Sequence, residues 1–238
     1  MKEHPLVLSL RKQIKALSKD AAAAGTYVRT GEIRKVARSI NRDVKKLPMK
    51  ERLELAEHLY NNPGWQCHLC ATHVLSISVP DMEKHHLPEV KKFMRHYDSW
   101  GTVDDFGTTV LNQLIEKYPT EILAMIREWN QSHNMWERRM SMVAFTRKIG
   151  QSGKFTHECL TLAENLINDP EDLVQKAVGW ALKDTMRGNK ELVINYVKNL
   201  RKRGVTSVIT LYAIRDLKGK EREEILALKA PKSKKQTS

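Results

Sequence analysis

Tryptophan marks a spacing that few folds can accommodate. Trp65, Trp100 and Trp136 stand 35 and 36 residues apart, and Leu173 follows 37 residues later. Each opens a similar segment: WQCHLCATHVL, WGTVDDFGTTV, WERRMSMVAFT and LVQKAVGWALK. A weaker copy, TSVITLYAIRD, begins at Thr206. Inside these segments, and in the stretches between them, apolar residues recur at spacings of three and four. Ile33, Val36, Ala37 and Ile40 form one such set, and Ile122, Met125, Ile126 and Trp129 another. That is the period of an amphipathic helix. Prolines and Asn-Pro or Asp-Pro pairs punctuate the pattern at Pro48, Pro63, Pro80, Pro88, Pro119 and Pro170. The β-branched ISVP at 77–80 is too short for a strand and reads as a helix end before proline. The expected fold is therefore all-α: a HEAT-like helical-repeat solenoid, a curved stack of helix pairs in which neighbouring units share a core. A single domain is expected over residues 1–228, with 229–238 a basic, disordered tail.

Charge narrows the partners. Lys and Arg number 41 against 28 Asp and Glu, a formal net charge of +13. Such an excess suits a polyanion, with nucleic acid ahead of an anionic membrane. No apolar run approaches the roughly 18 residues of a membrane span. The N-terminal segment is helical in pattern and unlike a signal peptide, and three cysteines suit a reducing cytoplasm.

Counting from the first residue of each repeated segment, Trp100 lies at offset zero, Arg139 at three, Asp104 at four and Trp180 at seven. These offsets share one stripe of a helix. Lys176 shares the offset of Arg139. The same tryptophans could equally form a core ladder, and Asp104 could serve the helix dipole in a first turn. Asp105 lies about 100° around the helix from Asp104. Cys67, Cys70 and His73 fall on one helical face, but no second Cys/His pair completes a zinc site, so no metal is expected. No phosphate-binding glycine loop, nucleophile elbow or histidine triad is present.

Three segments, SWGTVD (99–104), NMWERRMSMVAF (134–145) and VQKAVGWALKD (174–184), occur in order about one repeat apart. Together they resemble the DNA alkylation-repair glycosylases built from HEAT-like repeats, the AlkD family. The likeness covers roughly residues 50–200. It implies that Asp104 is the catalytic carboxylate, that Trp100 and Trp180 flank the sugar, and that Arg139 contacts the DNA backbone. Arg138, Lys176, Arg147 and Lys148 are further candidates for phosphate contacts. The implied activity is a monofunctional glycosylase that releases cationic N3- or N7-alkylated purines from duplex DNA. It would need no cofactor and would work as a cytoplasmic monomer. The rival readings are a non-catalytic binder of bent or branched DNA and a protein-interaction scaffold. The sequence departs from the family in having Ser99 before Trp100 and Gly101 after it, and its N-terminal signature is reduced to Tyr27 and a basic helix.

Overall fold

The computed structural model describes residues 4–228. The tail expected to be disordered, 229–238, lies outside the described residues. Among the described residues every regular element is a helix, and the helical-repeat architecture expected from the spacing is what the chain adopts. Two compact units divide it, residues 1–119 and 120–238.

The first unit holds α1 (Pro5–Ala23), α2 (Thr30–Ser39), α3 (Asn41–Lys46), α4 (Met49–Tyr60), α5 (Trp65–Ser78), α6 (Leu87–Lys92), α7 (Trp100–Phe106) and α8 (Asn112–Lys117). α5 is its centre, packing against α2, α3, α4 and α7. It can do so because its sequence is small as well as apolar: Cys67, Cys70, Ala71 and Val74 are all buried, and slim side chains let several helices approach one axis. As expected from ISVP, α5 stops at Ser78, and a 3₁₀ turn carries Val79–Asp81.

The second unit begins within α9 (Pro119–Asn130) and continues through α10 (Met135–Val143), α11 (Arg147–Ser152), α12 (Thr156–Leu166), α13 (Asp172–Gly188), α14 (Lys190–Lys202), α15 (Ser207–Ala213) and α16 (Gly219–Ala227). Here α13 is the centre, contacting α10, α11, α12, α14 and α15. Three glycines make the close approaches possible. A Cβ on Gly179 would stand 2.6 Å from the Tyr212 Cβ of α15. One on Gly188 would stand 2.3 Å from the backbone nitrogen of Gly153, just past α11. One on Gly150 would stand 2.4 Å from the Phe145 carbonyl and 2.9 Å from the Thr185 nitrogen.

The five repeated segments all begin helices within one residue of the expected start: α5, α7, α10, α13 and α15. Local chemistry sets three of these starts. Ser99 caps α7, Asn134 Oδ1 accepts the Trp136 N–H at 2.9 Å, and Thr206 Oγ1 accepts the Val208 N–H at 3.3 Å. Each satisfies a backbone donor that the first turn leaves open. The tryptophan ladder is not core: Trp65 is 42% and Trp100 60% exposed, and Trp136 is half-buried. The core indole is Trp129, only 1% exposed, and Phe106 and Phe145 are fully buried too.

Candidate functional site

α7 carries the candidate carboxylate and the candidate tryptophan of the first unit. Ser99 is extended (φ −144°, ψ 151°), and its hydroxyl faces the Thr102 N–H, while the Thr102 hydroxyl donates to the Ser99 carbonyl at 3.0 Å. The residue that departs from the family pattern therefore has a physical task, which is to start the helix. Trp100 follows, standing out into solvent, and Asp104 sits half-buried one turn later. A spacing of four puts both on one side of the helix.

Asp105 points elsewhere. Its carboxylate accepts from Arg34 Nη2 of α2 at 3.0 Å. Burial pushes its pKa up, opposed by the charge and hydrogen bond of Arg34 and by a hydrogen bond from Thr72. Thr72 continues a buried chain of hydroxyls, bonding Tyr60 at 2.9 Å, which bonds Tyr97 at 3.1 Å. Asp105 is thus a link between α2, α5 and α7, and it lines a small polar cavity of about 140 Å³ with Arg34, Arg38, His73 and Thr109. Asp105 has these partners at a position turned about 100° from Asp104 on the helix.

Directly after Phe106 the helix widens into a π stretch, Gly107–Leu111. The Thr108 hydroxyl donates to the Asp104 carbonyl at 2.7 Å, and the Thr109 hydroxyl donates to that of Asp105. Single π turns inside α-helices occur often at functional sites. Here the turn rotates the following residues relative to Trp100 and Asp104. The two threonines, each able to bond a carbonyl one turn back, are its only sequence trace.

The second unit holds the cations and the other tryptophan. Arg139 is 5% exposed, and its guanidinium donates to the Leu173 carbonyl at the start of α13. Arg138 is committed to Asp169 through Nε–Oδ2 at 2.6 Å and Nη2–Oδ1 at 3.2 Å. Its remaining Nη1 donates to the carbonyls of Ser132 and His133. Lys176 pairs with Asp172 one turn back. Arg147 and Lys148 are exposed, and among the described residues neither head group has a carboxylate partner. The Arg147 guanidinium lies 5.3 Å over the half-buried ring of Trp180. Of the five cations singled out in the sequence, these two can receive a phosphate without giving up a partner. Arg138 and Lys176 would have to exchange a carboxylate for it.

The cysteine–histidine face of α5 is filled differently. Cys67 and Cys70 are buried, burial pushes the Cys70 thiol up to about 12, and His73 Nε2 lies 2.7 Å from Asn41 Oδ1. Among the described residues no group of three or more His, Cys, Asp or Glu is arranged to hold a metal, and no helix is long and apolar enough to cross a membrane.

These features define an all-helical repeat protein with exposed indoles and, among the described residues, two exposed cations, Arg147 and Lys148, without a carboxylate partner. The same fold occurs in a solved structure titled a predicted DNA alkylation repair enzyme from Enterococcus faecalis. The TM-score is 0.68 at 15% identity, over 80% of this chain and 86% of that one. A search of curated proteins found no match. The family model for DNA alkylation repair enzymes matches residues 13–217, and the chain belongs to that family, whose substrate is DNA.

Proposed function

We propose that this chain is a monofunctional DNA glycosylase that removes cationic N3- and N7-alkylated purines from duplex DNA, acting as one solenoid domain over residues 1–228. The observation that carries the reading is the start of α7: an indole 60% exposed and, one turn on, the half-buried carboxylate of Asp104. It is the pairing of an exposed indole face with a carboxylate one turn away, more than the exposure alone, that supports the reading.

The chemistry explains the pairing. An N3- or N7-alkylated purine already carries a positive charge, so its base departs with little help from an acid. Breaking the N-glycosidic bond moves charge onto the deoxyribose. A fixed carboxylate beside that sugar stabilises the oxocarbenium-like state or orients the attacking water. Tryptophan faces attract the developing cation and keep bulk water away. Asp104 takes the first role, and Trp100 and Trp180 the second. Arg147 and Lys148 serve the backbone, Arg138 and Lys176 join them after exchange of their carboxylates, and Arg139, buried against the Leu173 carbonyl, does so only by giving up that contact. No cofactor or metal is needed, because the leaving group is activated by its own charge. The protein acts as a cytoplasmic monomer.

Incubation with duplex DNA containing N7-methylguanine tests the reading. Free base should appear, and an equivalent uracil duplex should release none. No release from the methylated duplex would leave a DNA-binding or scaffold protein in place of the enzyme. Efficient uracil release would show a general acid that this site lacks.

A further inference from the structure

Arg147 is the one non-glycine residue with a positive φ among those described, at 56°. An L side chain in this conformation crowds its Cβ against the following carbonyl, which glycine avoids. Such positions survive only where the surroundings impose them, and they gather at functional sites. The imposing group is identifiable. The Arg147 N–H donates to Asp184 Oδ2 at 2.8 Å. The Asp184 side chain is 2% exposed, and its other oxygen takes the Lys183 ammonium at 2.8 Å. Gly150, one turn along α11, brings that helix against the backbone of Asp184 and Thr185. The outcome is a guanidinium over Trp180 with no hydrogen bond or ion pair of its own among the described residues. Arg187, one turn beyond Asp184 on α13, is by contrast spent on Asp216 at 2.6 Å.

We propose that Asp184 is a positioning residue: by holding the Arg147 backbone in its left-handed conformation, it sets the Arg147 guanidinium over Trp180 to receive a DNA phosphodiester. This rests on the DNA reading above and adds the reason that a strained arginine stands where glycine would fit better. A guanidinium resting on an aromatic ring keeps edge N–H donors for an anion, and its fork geometry suits two phosphate oxygens. Lys183 leaves Asp184 without a net repulsive effect on that anion.

The test uses the full chain and a short fluorescein-labelled duplex, with anisotropy titrations across a range of salt and a melting curve for each variant. Arg147→Gly should melt at the wild-type temperature or up to about 4 °C above it. It should bind the duplex about tenfold more weakly or worse, with the slope of log K against log salt reduced by about 0.9. Asp184→Ala should lose affinity to a similar extent, and the double variant should bind no worse than Arg147→Gly alone, since both changes remove one contact. Asp184→Asn, which still offers an acceptor to the Arg147 N–H, should bind close to wild type. A merely structural Asp184 would give losses that multiply in the double variant, and that result would overturn the proposal. So would an Arg147→Gly protein that melts lower, or one that binds with wild-type affinity and slope. If the wild-type chain itself fails to bind the duplex, the DNA reading falls and this proposal falls with it.

Discussion

The starts of α7 and α11 solve the same problem in opposite ways. α7 begins on a serine cap with ordinary dihedrals, and the chain around it is open: a Cβ on Gly101 would meet nothing within 4 Å. α11 begins on an arginine at φ 56°, with no side-chain cap from Thr146, pressed against α13 by glycines whose missing Cβ atoms would strike backbone. In the first, local hydrogen bonds suffice and the functional side chains project from a relaxed helix. In the second, tertiary packing overrules local preference, and a long-range carboxylate holds the conformation. A regular start tolerates change at its neighbours, and an imposed one does not.

The difference is sharpest at glycine. Gly188→Ala should be the most damaging substitution of this kind, because the new methyl would lie 2.3 Å from the Gly153 nitrogen and 2.6 Å from the Gly150 carbonyl. Backbone cannot rotate away as a side chain can, so the loss should reach about 3 kcal/mol in chemical denaturation, the upper part of the overpacking range. Near-normal stability would mean that α11 and α13 are not in close contact. Ser99→Ala comes next. Removing the cap should cost about 1 kcal/mol, and a cost near zero would show that α7 needs no cap. Gly101→Ala should go the other way, raising stability by about 0.5–1 kcal/mol as a helical glycine with free space around it is replaced.

The smallest effect concerns pH in the first unit. His73 is held below its ordinary value of 6.5, by burial first and then by Arg38 and Arg34. The unfolded chain therefore takes a proton near pH 6.5 that the folded chain resists. Stability present above that pH is lost as pH falls from 6.5 through the lower folded value. His73→Gln should flatten the fall in melting temperature between about pH 7 and pH 5. An unchanged slope would assign it to other groups.

Much of the first half of this comparison was legible in the sequence. The five helix starts follow from repeated spacing and from local caps, whose information lies within three residues. The half-exposed face bearing Trp100 and Asp104 follows from a spacing of four. The second half was hidden because its causes are distant along the chain. Asp184 lies 37 residues from the backbone it holds, and Arg34 lies 71 from Asp105. Nothing in TRKIGQS announces a left-handed arginine. The paired state of Arg138 was equally invisible, since a run of basic residues does not reveal which of them have carboxylates waiting at Asp169 or Asp172. Asp105 is no neutral control for Asp104, because its bond to Arg34 ties α2 to α7. The exposed Asp98, just ahead of the cap, is the better one.

The most direct measurement is single-turnover base release from N7-methylguanine duplex by wild type, Asp104→Asn and Asp98→Asn, each with its melting temperature and duplex affinity. Asparagine keeps the shape of Asp104 and removes the charge that matters only as the sugar becomes cationic. The expected result is a rate about 10²–10³ lower for Asp104→Asn, with stability and binding nearly unchanged and Asp98→Asn close to wild type. Equal rates for the two variants, or an Asp104→Asn protein that loses stability and keeps its rate, would contradict the assignment of catalysis to α7.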